Sequence, residues 1–181
     1  MALKPTIYKA TIDLADLNRD YYTQQQLTVA RHPSETAERM MVRLLAWCLH
    51  ADDHLEICKG LSDSDEPALW RKALHGEIEQ WIDVGQPDPD RLRKAQGKSN
   101  EVWVYAFGKA ANTWWQKQQA ELCKLNKTRV MQLEWRAVEE LASMSQRNMS
   151  LSVQISEQSV FVASEQASVQ LEISILHPAS N

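Results

Sequence analysis

The sequence predicts an α/β (α+β) fold, a mixed central sheet flanked by helices with an added β-hairpin at each end. Three observations predict it. Both ends of the chain alternate apolar and polar residues with the period of a half-buried strand. One long apolar stripe of helical spacing follows the first hairpin. The middle of the chain then reads strand, helix, strand, the order of a parallel crossover. With 181 residues and 44% apolar content, the chain suits a single domain with a core of its own.

The first hairpin occupies about 6–31. Tyr8, Ala10, Ile12 and Leu14 alternate with Lys9, Thr11 and Asp13, residues 17–20 supply a turn, and Leu27 and Val29 share one face of the return strand. Glycine is absent here, so a turn of more than two residues is expected. His32, Pro33 and Ser34 close the unit. Ser34 is the expected N-cap of a helix over about 34–51, with Glu35 in its first turn. Ala37, Met41, Leu44, Leu45 and Cys48 form its buried stripe, and Arg39 and Arg43 lie four apart off that stripe.

A short strand is expected over 55–61, then an acidic loop at 63–67. The segment 68–74 stays open between a strand and one or two helical turns. Residues 77–84 form a clearer strand, with Trp81 and Asp83 facing opposite to Ile82 and Val84. Residues 90–98 form a short basic helix with Gly97 at its end, and 102–107 is a near-continuous apolar run expected of a central strand. A helix from Gly108 to about Leu125, a strand over 129–135 and a helix over 137–145 complete the centre. A C-terminal hairpin over about 149–176 is expected to pair with the N-terminal one.

Composition excludes several classes. The three cysteines are widely spaced with no CxxC pair, against a disulfide framework and consistent with reduced thiols. The opening residues lack the apolar stretch of a signal peptide, and the longest apolar run, 40–49, is interrupted by Arg43 and far short of the roughly 20 residues that span a bilayer. A cytoplasmic location without membrane association is expected. The net charge of −4 argues against a wholly electrostatic nucleic-acid binder while leaving local basic patches open.

Residues 97–99 end like a phosphate loop, but position 92 is leucine where that motif needs glycine, and a helix precedes it where a strand should. The His50 and His54 pair reads as helix-end polarity rather than a metal site. The more informative set is acidic. Asp83 sits near the carboxyl end of its strand, where α/β sheets collect their ligand groups. Asp65 and Glu66 lie in the preceding loop, within reach of the same place. Carboxylates converging on one point repel unless they share a cation, and hard oxygen donors suit magnesium or manganese. Downstream, Arg91, Arg93, Lys94 and Lys98 place a charge of +4 within eight residues, a patch fit to hold backbone phosphates of a nucleic acid beside such a metal. The same residues also read as helix-capping and solvated-surface groups, and the seven tryptophans as core filling.

The segments LKPTIYKATIDLADLNRDYY, HPSETAERMMVRLLAWCLHA, LEICKGLSDSDEPALW, WIDVGQPDPDRLRKA and VWVYAFG resemble the YaeQ family over nearly the whole chain from residue 3 onward. That family in turn resembles the PD-(D/E)XK, or restriction-endonuclease-like, nucleases. The resemblance implies a nuclease-like core over about 34–135. It implies Asp65 as the first acid, with proline after rather than before it, and Asp83 as the second. The lysine expected two positions on is Gly85, with Gln86 or Lys94 as candidates to replace it, Arg91, Arg93 and Lys98 to meet nucleic acid, and Glu66 to assist a metal. An alternative register over 77–79 also lacks the lysine. Two functions follow as expectations: a magnesium- or manganese-dependent nuclease-like protein acting on nucleic acid, or a non-catalytic protein that binds a protein or nucleic-acid partner on a degenerate nuclease fold.

Overall fold

A computed structural model describes residues 3–179 of the chain. Ten strands form one mixed sheet: β1 (Thr6–Asp16), β2 (Tyr21–Arg31), β3 (Leu55–Ile57), β4 (Leu69–Lys72), β5 (Ile78–Val84), β6 (Ser99–Ala106), β7 (Thr128–Leu133), β8 (Asn148–Ser156), β9 (Ser159–Ala163) and β10 (Ser168–His177). Their order is β2-β1-β8-β9-β10-β7-β6-β5-β4-β3, and the sheet is nearly closed. The helices are α1 (Ala37–His50), α2 (Pro89–Lys98), α3 (Ala111–Leu122) and α4 (Trp135–Ser143). Among the described residues no helix is long and apolar enough to cross a membrane.

The two parallel crossovers in the centre are β5-α2-β6 and β6-α3-β7. Helices α1 and α4 pack on one face of the sheet. Met41, Leu44 and Leu45 of α1 and Leu141 of α4 join Ile12, Leu151, Val162 and Leu171 in the larger core. Helices α2 and α3 cover the other face of the central strands, where Leu92, Ala95 and Leu122 pack on Trp81, Val102, Val104 and Val130. The alternation in β5 therefore sends Ile82 and Val84 into one core and Trp81 into the other.

The terminal units meet as the alternation implies, β1 pairing in parallel with β8 from Lys9↔Asn148 to Asp16↔Ile155. The C-terminal unit is not a hairpin, however. It is a three-stranded meander in which β9 pairs antiparallel with both β8 and β10, because turns at 157–158 and 164–167 interrupt the alternation twice. The strand expected over 55–61 stops at Ile57 and passes into a 3-10 turn, Gly60–Ser62. Residues 69–72 resolve the open segment as an edge-proximal strand. The strand expected to reach Trp135 ends at Leu133, and Trp135 opens α4.

The helix cap also differs. Thr36, not Ser34, is the N-cap of α1, its hydroxyl accepting from the Arg39 N–H at 3.1 Å. Ser34 instead hydrogen-bonds the His32 ring at 2.6 Å. Glu35 thereby falls outside the first turn and becomes free to point inward. It is buried, and both of its carboxylate oxygens bind Arg43, at 2.8 and 2.7 Å, while Arg39 adds a third contact at 2.7 Å.

Candidate functional site

At the carboxyl end of β5 an open cleft of about 310 Å³ lies between α1, the loop 60–66 and the start of α2. Asp83 is 3% exposed and lines it. Both Asp83 oxygens accept from one guanidinium: Arg91 Nε donates to Oδ2 at 2.9 Å and Nη2 to Oδ1 at 3.1 Å. The spacing explains the pair. Asp83 ends a strand, Asp88 caps the next helix, and Arg91 then falls in that helix's first turn with its side chain turned back over the strand end.

Arg91 does more than neutralise Asp83. Its Nη1 donates to the Ser64 carbonyl at 2.6 Å and its Nη2 to the Glu66 carbonyl at 2.9 Å, and its guanidinium lies 5.6 Å from the Trp81 ring centroid. The acidic loop is thus brought to β5 as its spacing predicts, but the group that gathers it is a cation from α2 gripping backbone oxygens. Burial alone would lower the Arg91 pKa, yet the hydrogen bond and charge of Asp83, helped by the charge of Asp65, raise it. Asp65 itself is exposed, and its backbone N–H binds Asp63 Oδ1 at 2.9 Å in a local turn. Glu66 is half-buried and lines the cleft.

Gly85 adopts φ of +99°, a conformation that L side chains rarely enter, although a Cβ there would meet nothing within 4 Å. Backbone geometry rather than lack of space therefore excludes a lysine at this position. Gln86 donates to the Phe107 carbonyl at 3.0 Å and lines the cleft. Lys94 and Lys98 are exposed on α2, and they follow Arg91 at the three- and seven-residue intervals of one helix face. Arg93 turns elsewhere, pairing with Asp90 of its own helix and with Glu121 of α3 at 3.4 Å. Of Arg91, Arg93, Lys94 and Lys98, Arg91 alone lines the cleft.

One cleft residue escapes a sequence reading. Arg39 of α1 also lines the cleft, tied to Glu35 at 2.7 Å. Burial lowers its pKa, opposed by Glu35 and in small part by Asp83, so Asp83 lies in the field of two arginines from two helices. The signal was present as Arg39 and Arg43 at four-residue spacing on one helix face, with Glu35 four residues before Arg39.

As these groups stand, they do not fit a divalent ion. Each Asp83 oxygen accepts one N–H of Arg91, so a magnesium or manganese ion placed on Asp83 would lie against a guanidinium of the same sign. Among the described residues, no three His, Cys, Asp or Glu side chains come together in a cation cage.

Comparison with known proteins gives a consistent picture. The family model described as YaeQ protein matches residues 1–173. The chain is 38% identical over 174 residues to the uncharacterized protein YaeQ of Salmonella typhi and 37% identical to that of Escherichia coli K12, in each case across 96% of both chains. Among solved structures, the YaeQ protein of Xanthomonas axonopodis pv. citri superposes with a TM-score of 0.93 at 42% identity, covering 96% of this chain and 99% of its own. The YaeQ protein of Pseudomonas syringae gives 0.91 at 37% identity, covering 95% and 96%.

Proposed function

The chain belongs to the YaeQ family, and from that premise we propose that it is a non-catalytic interaction protein built on a degenerate nuclease-like scaffold. The observation that carries this reading is the two-pronged grip of Arg91 on Asp83. In a metal-dependent nuclease, the carboxylate at a strand's carboxyl end holds a cation, and a nearby lysine orients the attacking water. Here a fixed guanidinium stands where the cation would be, and the neighbouring backbone at Gly85 disfavours any side chain. Releasing Arg91 breaks four hydrogen bonds, each to a charged partner or made by a charged donor, and such bonds are worth about 1.5–3 kcal/mol apiece. A hydrated divalent ion would have to offset that loss as well as its own dehydration.

The nuclease reading keeps one observation in its favour, the placement of Asp83, Glu66 and Gln86 around one cleft at the carboxyl end of a parallel strand. In it Asp83, Asp65 and Glu66 would hold the ion. One experiment separates the two readings. Calorimetric titration with manganese and with magnesium should give no saturable heat for the folded wild type, and Asp83→Ala should leave the trace unchanged. Saturable binding that Asp83→Ala abolishes would move the assignment to a metal-dependent nuclease.

A further inference from the structure

Helix α1 ends at His50, whose ring meets Trp103 edge-on with the centroids 4.6 Å apart. Beyond Trp103, toward the amino ends of β5, β6 and β7, a cavity of about 410 Å³ opens on the sheet. Its charged lining is Arg71 of β4, Glu79 of β5, Glu101 of β6, Lys127 just before β7, and Arg129 of β7. Glu101 lies two positions before Trp103, which packs against the larger core, so it belongs to the α1 side of the sheet. Asp83 stands at the other end of β5.

Two guanidiniums are fixed in this cavity by the protein itself. Arg129 Nη1 donates to Glu101 Oε2 at 2.7 Å, and the guanidinium carbon lies 4.9 Å from the Trp103 ring centroid. Glu101 is held in turn: Trp103 Nε1 donates to the same oxygen at 3.1 Å and Gln80 Nε2 to the other at 2.9 Å. Arg71 donates Nε to Glu79 Oε2 at 2.9 Å. Each arginine is thus tied to a carboxylate one strand nearer the middle, Arg71 to β5 and Arg129 to β6, which are neighbours in the sheet. Gln80 lies in register between Arg71 and Glu101, is 7% exposed, and its Oε1 finds no donor among the described residues. A buried amide with one end unsatisfied costs stability that an apolar residue would not. Its one bond orients Glu101 and, through it, Arg129.

Net charge does not choose the ligand, because the three cations stand near Glu79, Glu101 and also Asp52, which lies 3.9 Å from Arg71 Nη1. The balance of donors and acceptors does. Both oxygens of Glu101 and one of Glu79 are engaged. Nη1 and Nη2 of Arg71, and Nε and Nη2 of Arg129, make no hydrogen bond among the described residues, and Lys127 Nζ has only the Ser99 carbonyl at 3.5 Å. Arg129 therefore keeps open the same Nε and Nη2 edge with which Arg91 grips the Asp83 carboxylate. The guanidiniums also make themselves felt in the core: after burial itself, Arg19, Arg71 and Arg129 lower the His50 pKa. We infer that this cavity binds the oxyanion group, phosphate or carboxylate, of a small organic anion, held by the open edges of Arg71 and Arg129 with Lys127 beside them. A planar guanidinium edge matches two oxygens of such a group, and side chains already clamped lose little freedom on binding. The site is separate from the Asp83 cleft and does not rest on the reading given for it.

The test is isothermal titration calorimetry in a phosphate-free buffer, with inorganic phosphate as one probe and succinate as the other. At least one probe should bind the wild type saturably at one site, and the probe that binds identifies the oxyanion. Affinity should fall about tenfold or more in Arg71→Gln, and by a smaller factor in Lys127→Ala. Lys127 is exposed and its ammonium makes one long contact, so that variant reads the site even if Arg71→Gln fails to fold. Arg71→Lys keeps the charge but not the edge and should bind as weakly as Arg71→Gln. Lys94→Ala, which removes an exposed cation of α2 outside the cavity, should bind as the wild type does. Absence of saturable binding by both probes, affinity unchanged in folded Arg71→Gln or Lys127→Ala, or an equal loss in Lys94→Ala would overturn the proposal. So would full rescue by Arg71→Lys, since diffuse charge would then suffice. The manganese titration reads Asp83 at the other end of β5, so each result stands without the other.

Discussion

Glu35 and Arg43 are both 0% exposed at the side chain, and each is the other's counter-ion. Two further donors of Arg43 reach carbonyls, so each of its three nitrogens makes a hydrogen bond. Replacing such a pair by apolar residues is often harmless, whereas removing one partner strands the other in a low-dielectric interior. Glu35→Ala should therefore lower unfolding stability by about 3–5 kcal/mol in urea denaturation, well beyond the effect of an exposed carboxylate. A loss under about 1 kcal/mol would mean that Arg43 finds water or another acid. His50 is the second residue with a readable consequence. It is buried, with its Nε2 2.6 Å from the Tyr105 hydroxyl, and burial, reinforced by Arg19, Arg71 and Arg129, lowers its pKa to about 3. The folded state thus refuses a proton that the unfolded chain takes up below about pH 6.5, so this group removes stability as pH falls from 6.5 toward 3. Between pH 7 and pH 5 it should account for a loss of about 2 kcal/mol. His50→Gln, which retains a partner for Tyr105, should shrink the measured difference by about that amount, and an unchanged pH dependence would remove His50 as the cause.

At the scale of elements, the legible parts of the fold were those where one periodicity runs uninterrupted. The β1 alternation, the α1 stripe and the β5-α2-β6 order are set by which side chains must leave water, and that requirement is written locally. Two of the departures from that pattern have identifiable causes. Ser34 and Thr36 are both good capping residues two positions apart, and the choice falls on Thr36 because Glu35 is drawn inward to Arg43, a contact eight residues away that no capping pattern encodes. Thr36→Ala should cost about 1 kcal/mol in thermal or chemical denaturation, while Ser34→Ala should cost only a few tenths, and equal costs would contradict the cap assignment. The C-terminal meander reads as a hairpin in the sequence because its inner turns hold no glycine or proline. A signal was nonetheless present: the triplet Ser-Glu-Gln occurs at 156–158 and again at 164–166, and each copy sits at a turn, the first with Glu157 at φ of +55°.

On the scale of the whole molecule, the sheet curls until its two margins nearly meet, and α1 supplies from within what the margins do not supply to each other. The candidate site depends on the same helix. Arg43 holds the strand ends, Glu35 joins Arg43 to Arg39, and Arg39 lines the same cleft as Asp83 and Arg91. The sequence located Asp83, the acidic loop and the basic helix in one neighbourhood, since their spacing follows from consecutive elements. It did not reveal that Arg91 would bind Asp83 directly, because a cation eight residues from an acid has no fixed meaning until the intervening turn is known. The central claim is that Asp83 is held by a guanidinium rather than available to a metal. The most direct measurement is a manganese titration followed by NMR at the Arg91 Nε–H resonance. The resonance should persist, unbroadened, into the millimolar range, as a donor fixed on Asp83 with no paramagnetic ion beside it. Its selective disappearance at micromolar manganese would place the ion at Asp83 and contradict the account.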